Sequence, residues 1–427
     1  MIKFLLSCLL GAALGGGVVY YLYVSDTPKP EPITAITPPA PDPYEGLPSI
    51  QVSPTKPHGE KITDIRSLTK GFDFESTVDI TPGDTASAER MLSESYVARL
   101  EIDLKEPTPA LTADHLTHAA PLLLQQLPGL SEALPTATVH PYWHTLYGNK
   151  KQRTVNSAHH LLKLLTKHNY YDCNTVLNLQ HPESKRKALL IQSDMDVVAD
   201  GSDGDRLPSM PDEIVNSTYY QPTTSYSWAK QTDTPNPMVA GFIKRMGNAE
   251  KEIAAPSTTS ERRKWLKERK QWLKRSIDEM NSRSFLIAEY DPFIVLPVPI
   301  IVDKSAYSPN VGDYAVVFHG DRVFPAIVGD AGPDYKMGEA SVRLAREISA
   351  DAGPYHRPVS DLSVSYLVFP GSRKQPHRAP DYDDIHAECT RLLSDFGGLA
   401  ESSSLHQWED LLPASQTAAA PAPQTQQ

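Results

Sequence analysis

Two segments concentrate carboxylates in ways that could do chemistry. In the first, SDMDVVADGSDGDR, Asp194, Asp196, Asp200, Asp203 and Asp205 place five acids within twelve residues, directly after a run of β-forming residues. Crowding like charges costs Coulomb energy, so such a run calls for a cation. One candidate is Ca²⁺ at Asp200, Asp203 and Asp205, because oxygen ligands alternating with Gly suit a calcium loop, although the spacing is not that of an EF-hand. Another is a polycationic substrate, and the plain alternative is an acidic surface loop rich in Asx turns. In the second segment, VGDAGPDYKMGEASVRLAREI, Asp330 and Asp334 lie in a Gly/Pro loop and Glu339 stands where a helix is expected to begin. Two acids on a short connection could flank one bond of a ligand. One would protonate the leaving oxygen while the other activates water, as glycoside hydrolysis requires. Local effects also place Asp in loops and Glu at helix starts, so spacing alone does not decide.

The elements that must hold these acids are mostly strands. From Lys187 to about Gly397, ALLIQSDMDVV, SFLIAEYDPFIVLPVPIIV, DYAVVFHGDRVFPAIVGD and SVSYLVFPGS are rich in Val, Ile, Phe and Tyr and are separated by Gly, Pro and Asp, the pattern of a sandwich or barrel. The clearest hairpin joins Tyr314–His319 to Arg322–Val328 through Gly320-Asp321, and Pro325 should keep the second strand at an edge or bulge. Residues 236–283 interrupt the β pattern with ERRKWLKERKQWLKRSIDEM, a strong helix with Trp265, Leu266, Trp272, Leu273, Ile277 and Met280 near one stripe. Eight basic residues against two acidic ones lie between Glu261 and Arg275. We expect a helical insertion whose stripe packs on the body, with contact to anionic lipid or another polyanion as the alternative.

Upstream, residues 61–182 read as a small α+β region. PLLLQQLPGLSEAL should be a helix broken at Pro128, and Leu161, Leu162, Leu164 and Leu165 have helical spacing. His140, His144, His159 and His160 lack a third partner at metal-ligand spacing and are read as polar packing, with no metal expected. Phe4–Val24 is 21 residues without a charge, long enough to span a bilayer. We expect residues 1–25 to be a transmembrane anchor with the body on the periplasmic or extracellular side; a cleaved signal and secretion is the alternative. Ten of the 38 prolines lie between Pro28 and Pro57, making residues 26–60 an extended spacer, and residues 413–427 a disordered tail. Cys8, Cys173 and Cys389 are too few and scattered for a disulfide scaffold; Cys173 and Cys389 are either paired or separately buried. With 41 Lys and Arg against 52 Asp and Glu, the net charge of −11 argues against nucleic acid as a partner and for a cationic one.

The order ALLIQSDMDVVADG, YYQPTTSYSW, FIVLPVPIIV, GDYAVVFHGDRVFPAIVGDAGPDYKMGEASVRLA and SYLVFPGS resembles the glycoside hydrolase family 75 chitosanases, with a layout similar to bacterial, membrane-tethered relatives. The resemblance implies a mainly β, barrel-like catalytic domain over residues 183–412, a double-psi barrel being one form of it. It also implies inverting cleavage of β-1,4-linked glucosamine chains, with no cofactor. The family's essential pair falls on Asp330 and Glu339, and analogy makes Glu339 the acid and Asp330 the base, although a carboxylate at a helix N-terminus suits a base. Asp194, Asp196 and Asp200 would then bind glucosamine ammonium groups, and Tyr219, Tyr220, Tyr226 and Trp228 would stack on sugar faces or sit in the core. Two other functions stay open: a barrel enzyme cutting peptidoglycan glycan, and a non-catalytic envelope domain binding a cationic or Ca²⁺-bridged partner.

Overall fold

The computed structural model describes residues 82–96, 104–158 and 170–413. The expected anchor, the spacer, the leucines at 161–165, His159, His160 and the tail from residue 414 lie outside these. No helix among the described residues is long and apolar enough to cross a membrane.

The domain is mixed α/β around a closed six-stranded barrel. Its strands are β3 (Lys187–Val198), β6 (Phe293–Pro297), β7 (Tyr314–His319), β8 (Arg322–Gly332), β9 (Glu339–Ser341) and β10 (Val359–Val368), in the order β3-β10-β7-β8-β6-β9, with β9 pairing back onto β3. Two short strands, β1 (Thr138–Val139) and β2 (Cys173–Gln180), extend the same sheet from β3. The α+β region before residue 183 is therefore joined to the barrel by a continuous ladder, and β2 and β9 occupy successive stretches of one edge of β3.

Alternation along the strands explains why these runs are apolar throughout. Leu190, Val316, Phe318, Ile327 and Val295 enter one hydrophobic cluster, while Leu189, Ile191, Val317, Phe324, Val328 and Ile294 enter another, so each strand is buried on both faces. The expected hairpin forms, with His319 opposite Arg322 across Gly320-Asp321. Pro325 faces Val316 on the stretch of β8 before β6 joins at Ile327, where a missing N–H costs no ladder bond.

Helices cover the barrel. The most relevant are α1 (Tyr142–Ala158), α2 (Val239–Ala254), α3 (Ser260–Ser282), α4 (Val342–Ile348) and α5 (Tyr382–Asp395). The insertion is the α2–α3 hairpin, bracketed by a two-stranded sheet of β4 (Ser227–Ala229) and β5 (Arg283–Phe285). Leu273, Ile277 and Met280 of α3 pack with Phe242 of α2 and with Met238 just before it, so the stripe is buried largely within the insertion. Trp265 and Trp272 are half-buried beneath Arg262 and Arg269, and Arg262 and Lys270 pair with Glu252 and Glu250. The chain upstream breaks near Pro128 as expected, into Leu123–Gln126 and Pro128–Ala133. Cys173 and Cys389 are free thiols buried in different clusters.

Candidate active site

Register places the expected catalytic pair on one row. Val295 of β6 pairs with Asp330 of β8 on one side and with Glu339 of β9 on the other, and Glu339 in turn pairs with Asp196 of β3. Asp196, Glu339, Val295 and Asp330 are thus consecutive positions across four strands, and residues opposite one another share a face. A β-bulge makes this possible: the β8 register shifts between Val328 and Asp330, skipping Gly329. Val328 points into the second cluster with Ile294, and the extra residue turns Asp330 to the face of Val295. At a strand spacing of about 4.8 Å, the Cα atoms of Asp330 and Glu339 lie roughly 9.6 Å apart. The Glu339 side chain reaches across Val295, since a Cβ on Gly332 of β8 would lie 2.9 Å from both Glu339 Oε2 and Val295 Cγ1.

Glu339 therefore lies in a strand, and the expected helix starts three residues later at Val342, capped by Ser341. The helix-dipole argument does not apply to it. Its partner is Lys336, whose Nζ lies 2.7 Å from Glu339 Oε1 and 2.8 Å from Asp196 Oδ2. Burial opposes the charge on Lys336, but Asp196 and Glu339 outweigh it and raise its pKa, so Glu339 accepts a charge-assisted hydrogen bond. Gly338, at φ +75°, brings this loop so close to β3 that a Cβ there would lie 2.1 Å from Asp194 O.

Asp330 is held differently. Its Oδ1 accepts from the Ser225 N–H at 2.8 Å, the Ser225 hydroxyl at 2.5 Å and the Ala331 N–H at 2.8 Å. Burial nonetheless pushes it up to about 6, with Glu339 adding to the rise and these hydrogen bonds opposing it. Asp200, just beyond β3, is pushed up to about 8 by burial and then by the charges of Asp330 and Glu339. Tyr220 adjoins it, donating to Gly201 O at 2.5 Å, and its own pKa is raised by burial and by Asp200. Asp330, Glu339 and Asp200 are thus one electrostatically coupled group.

The other residues expected to meet a ligand are mostly buried among protein partners. Asp194 and Asp196 are 2% and 3% exposed, and Arg357 bonds both, at 2.6 Å to Asp196. Both carboxyls therefore have a protein cation beside them, although burial outweighs Arg357 and raises Asp194. Asp172 of the same group pairs with Lys150 at 2.6 Å. Tyr226 stacks on His377 with ring centroids 4.3 Å apart and is buried, as is Trp228 beside Arg206; neither offers a free face to a sugar. Tyr219 is exposed. The calcium reading of Asp200, Asp203 and Asp205 meets competing partners: Asp203 binds Arg206 at 2.6 Å and Asp205 binds Lys230 at 3.3 Å, while Asp200 belongs to the coupled carboxylate group. Among the described residues no group of three or more His, Cys, Asp or Glu is arranged to hold a metal ion. His140 is buried, with Nδ1 accepting from Tyr142 N–H, and His144 is exposed.

Sequence reasoning missed Lys336, Arg357, Lys150 and Ser225. Lys336 stands three residues before Glu339, where an ion pair could have been suspected, but Arg357 and Lys150 come from distant segments with no local signal. A surface depression lined by His181, Glu183, Ser184 and Asp395 contains none of the coupled carboxylates.

A search of curated proteins gave no match. A family model described as the fungal chitosanase of glycosyl hydrolase group 75 matches residues 195–396, which take in the last four residues of β3, all of β4 to β10 and α5, and include Asp330, Glu339, Asp200 and Lys336. Residues 195–396 therefore form a glycoside hydrolase family 75 domain, that of the fungal chitosanases, and this family implies glycoside hydrolase activity.

Proposed function

We propose that this domain hydrolyses chitosan, with Asp330 as general acid and Glu339 as general base. The observation that carries the proposal is the row in which two carboxylates flank Val295 with different environments. Asp330, pushed up to about 6, keeps its proton in the mildly acidic range where glucosamine polymers are cationic, and can pass it to the leaving oxygen. Glu339, bonded on Oε1 by the Lys336 ammonium, presents Oε2 toward β8 to take a proton from water. This reverses the roles that the resemblance implies, because burial raises Asp330 while Glu339 accepts from the Lys336 ammonium. The two carboxyls stand on strands separated by β6, and the inverting course, with a water between them, is taken from the family resemblance. Asp200 is the carboxyl suited to a glucosamine ammonium, since an approaching cation would favour its ionised form.

The peptidoglycan reading is the competitor on the same geometry; the non-catalytic binding reading loses its basis once Asp203 and Asp205 have protein cations. The deciding experiment measures new reducing ends from chitosan and from peptidoglycan glycan with the wild type, Asp330→Asn and Glu339→Gln. Chitosan cleavage lost in both variants supports the proposal; cleavage of peptidoglycan alone, or activity retained in either variant, overturns it. We also place the domain outside the membrane on the Phe4–Val24 anchor and its proline-rich spacer. Fractionation of cells expressing the full chain tests this, and recovery of the protein in the soluble fraction would contradict it.

A further inference from the structure

The family match begins at residue 195, yet a helix from before it grips the connection between the two catalytic carboxylates. Asn149 of α1 donates its side-chain amide to Asp334 O at 2.9 Å. One turn on, the Arg153 guanidinium lies 3.4 Å from the centroid of the Tyr335 ring, a cation–π contact. Between them Lys150 anchors the helix on buried Asp172. Asp334 and Tyr335 immediately precede Lys336, the residue whose ammonium spans Asp196 and Glu339. A lysine has a long, flexible stem, so its reach to both carboxylates depends on where the backbone beneath it is held. Gly338 pins the far side of the loop against β3, and α1 pins the near side.

We propose that α1 is a positioning element of the active site, with Asn149 and Arg153 holding the 333–338 loop so that Lys336 stays on Glu339. This rests on the reading of Asp330 and Glu339 as acid and base. The charged groups around Lys336 and Asp330 are Asp196 from β3, Glu339 from β9, Asp200 beyond β3 and Arg357 before β10, with Asp172 and Lys150 behind them. Of these, Glu339 raises Asp330. If Lys336 drifts from Glu339, the Glu339 charge is less countered, and Asp330 is pushed higher. Activity that needs protonated Asp330 then persists to higher pH.

The test compares the full chain with its Asn149→Ala/Arg153→Ala variant on a soluble glucosamine oligomer across pH. The substrate amine titrates identically for both proteins and cancels. The expected result is a fall in kcat on the order of ten-fold with a smaller change in KM, and an alkaline limb moved up by roughly 0.5–1 unit. Lys336→Met should move the limb in the same direction, and adding the α1 changes to it should do little more. Arg153→Lys, which keeps a cation over the ring, should restore part of kcat. If the double variant does not fold, Tyr335→Leu removes the platform from the loop side and should shift the limb alike. A limb that stays in place while kcat falls, or no change in either, overturns the proposal. A wild type inactive on chitosan, or an active Glu339→Gln, would instead overturn the function on which it rests.

Discussion

Replacing Asp330 with Asn should abolish hydrolysis and stabilise the fold, but only at pH values where the wild-type carboxyl is ionised. The rise from the ordinary value of 3.8 to about 6 corresponds to about 3 kcal/mol at roughly 1.4 kcal/mol per pH unit. Asp330 is half-buried, so screening reduces this, and about 1–2 kcal/mol is the expected gain. The sign follows from linkage. The folded pKa lies above the unfolded one, so the folded state loses stability relative to the unfolded as pH rises from about 4 through about 6. Asn cannot ionise and escapes that loss. Its side-chain oxygen can still accept from the Ser225 N–H, the Ser225 hydroxyl and the Ala331 N–H, which now converge on Asp330 Oδ1. At about 2–4 °C per kcal/mol, melting scans should place the variant roughly 2–8 °C above the wild type near pH 8 and level with it near pH 4. An equal difference at both pH values, or a variant less stable near pH 8, would refute the claim that the protein holds this carboxyl against ionisation.

Two further substitutions probe the support of the site. Gly338→Ala puts a Cβ 2.1 Å from Asp194 O at φ +75°; the loop must move, and kcat should fall on the order of a hundred-fold with KM less affected, as steady-state kinetics would show. Arg357→Met leaves Asp196 buried with Lys336 and Asp194 buried with only the charge of Lys150 acting on it, and urea denaturation should register a loss of about 3–5 kcal/mol.

What the sequence disclosed follows from how local each feature is. Strand runs, the Gly320-Asp321 hairpin, the break at Pro128 and the helical insertion depend on neighbours a few residues apart, and they could be read directly. Asp330 and Glu339 could be nominated as a pair because GD and GEAS sit close together between recognisable elements. The acidic run misled because charge density does not say where cations come from. Arg357, 163 residues from Asp194 along the chain, answers Asp194 and Asp196, and Arg206 and Lys230 answer Asp203 and Asp205. Tyr226 and Trp228 were ambiguous because an aromatic in a β segment serves a core and a sugar platform equally well. The strand identity of Glu339 was hidden by three residues of β9 squeezed between a loop and a helix, formed only because β3 and β6 lie on either side.

The central claim is that Asp330 and Glu339, facing each other across Val295, cleave glucosamine chains with a water between them. Proton NMR of the first products from chitosan reads this most directly, because the newly formed reducing end appears in one anomeric form before it equilibrates. The account predicts the α anomer from the wild type and no product from Asp330→Asn or Glu339→Gln. A nascent β anomer, or turnover by either variant, would contradict it.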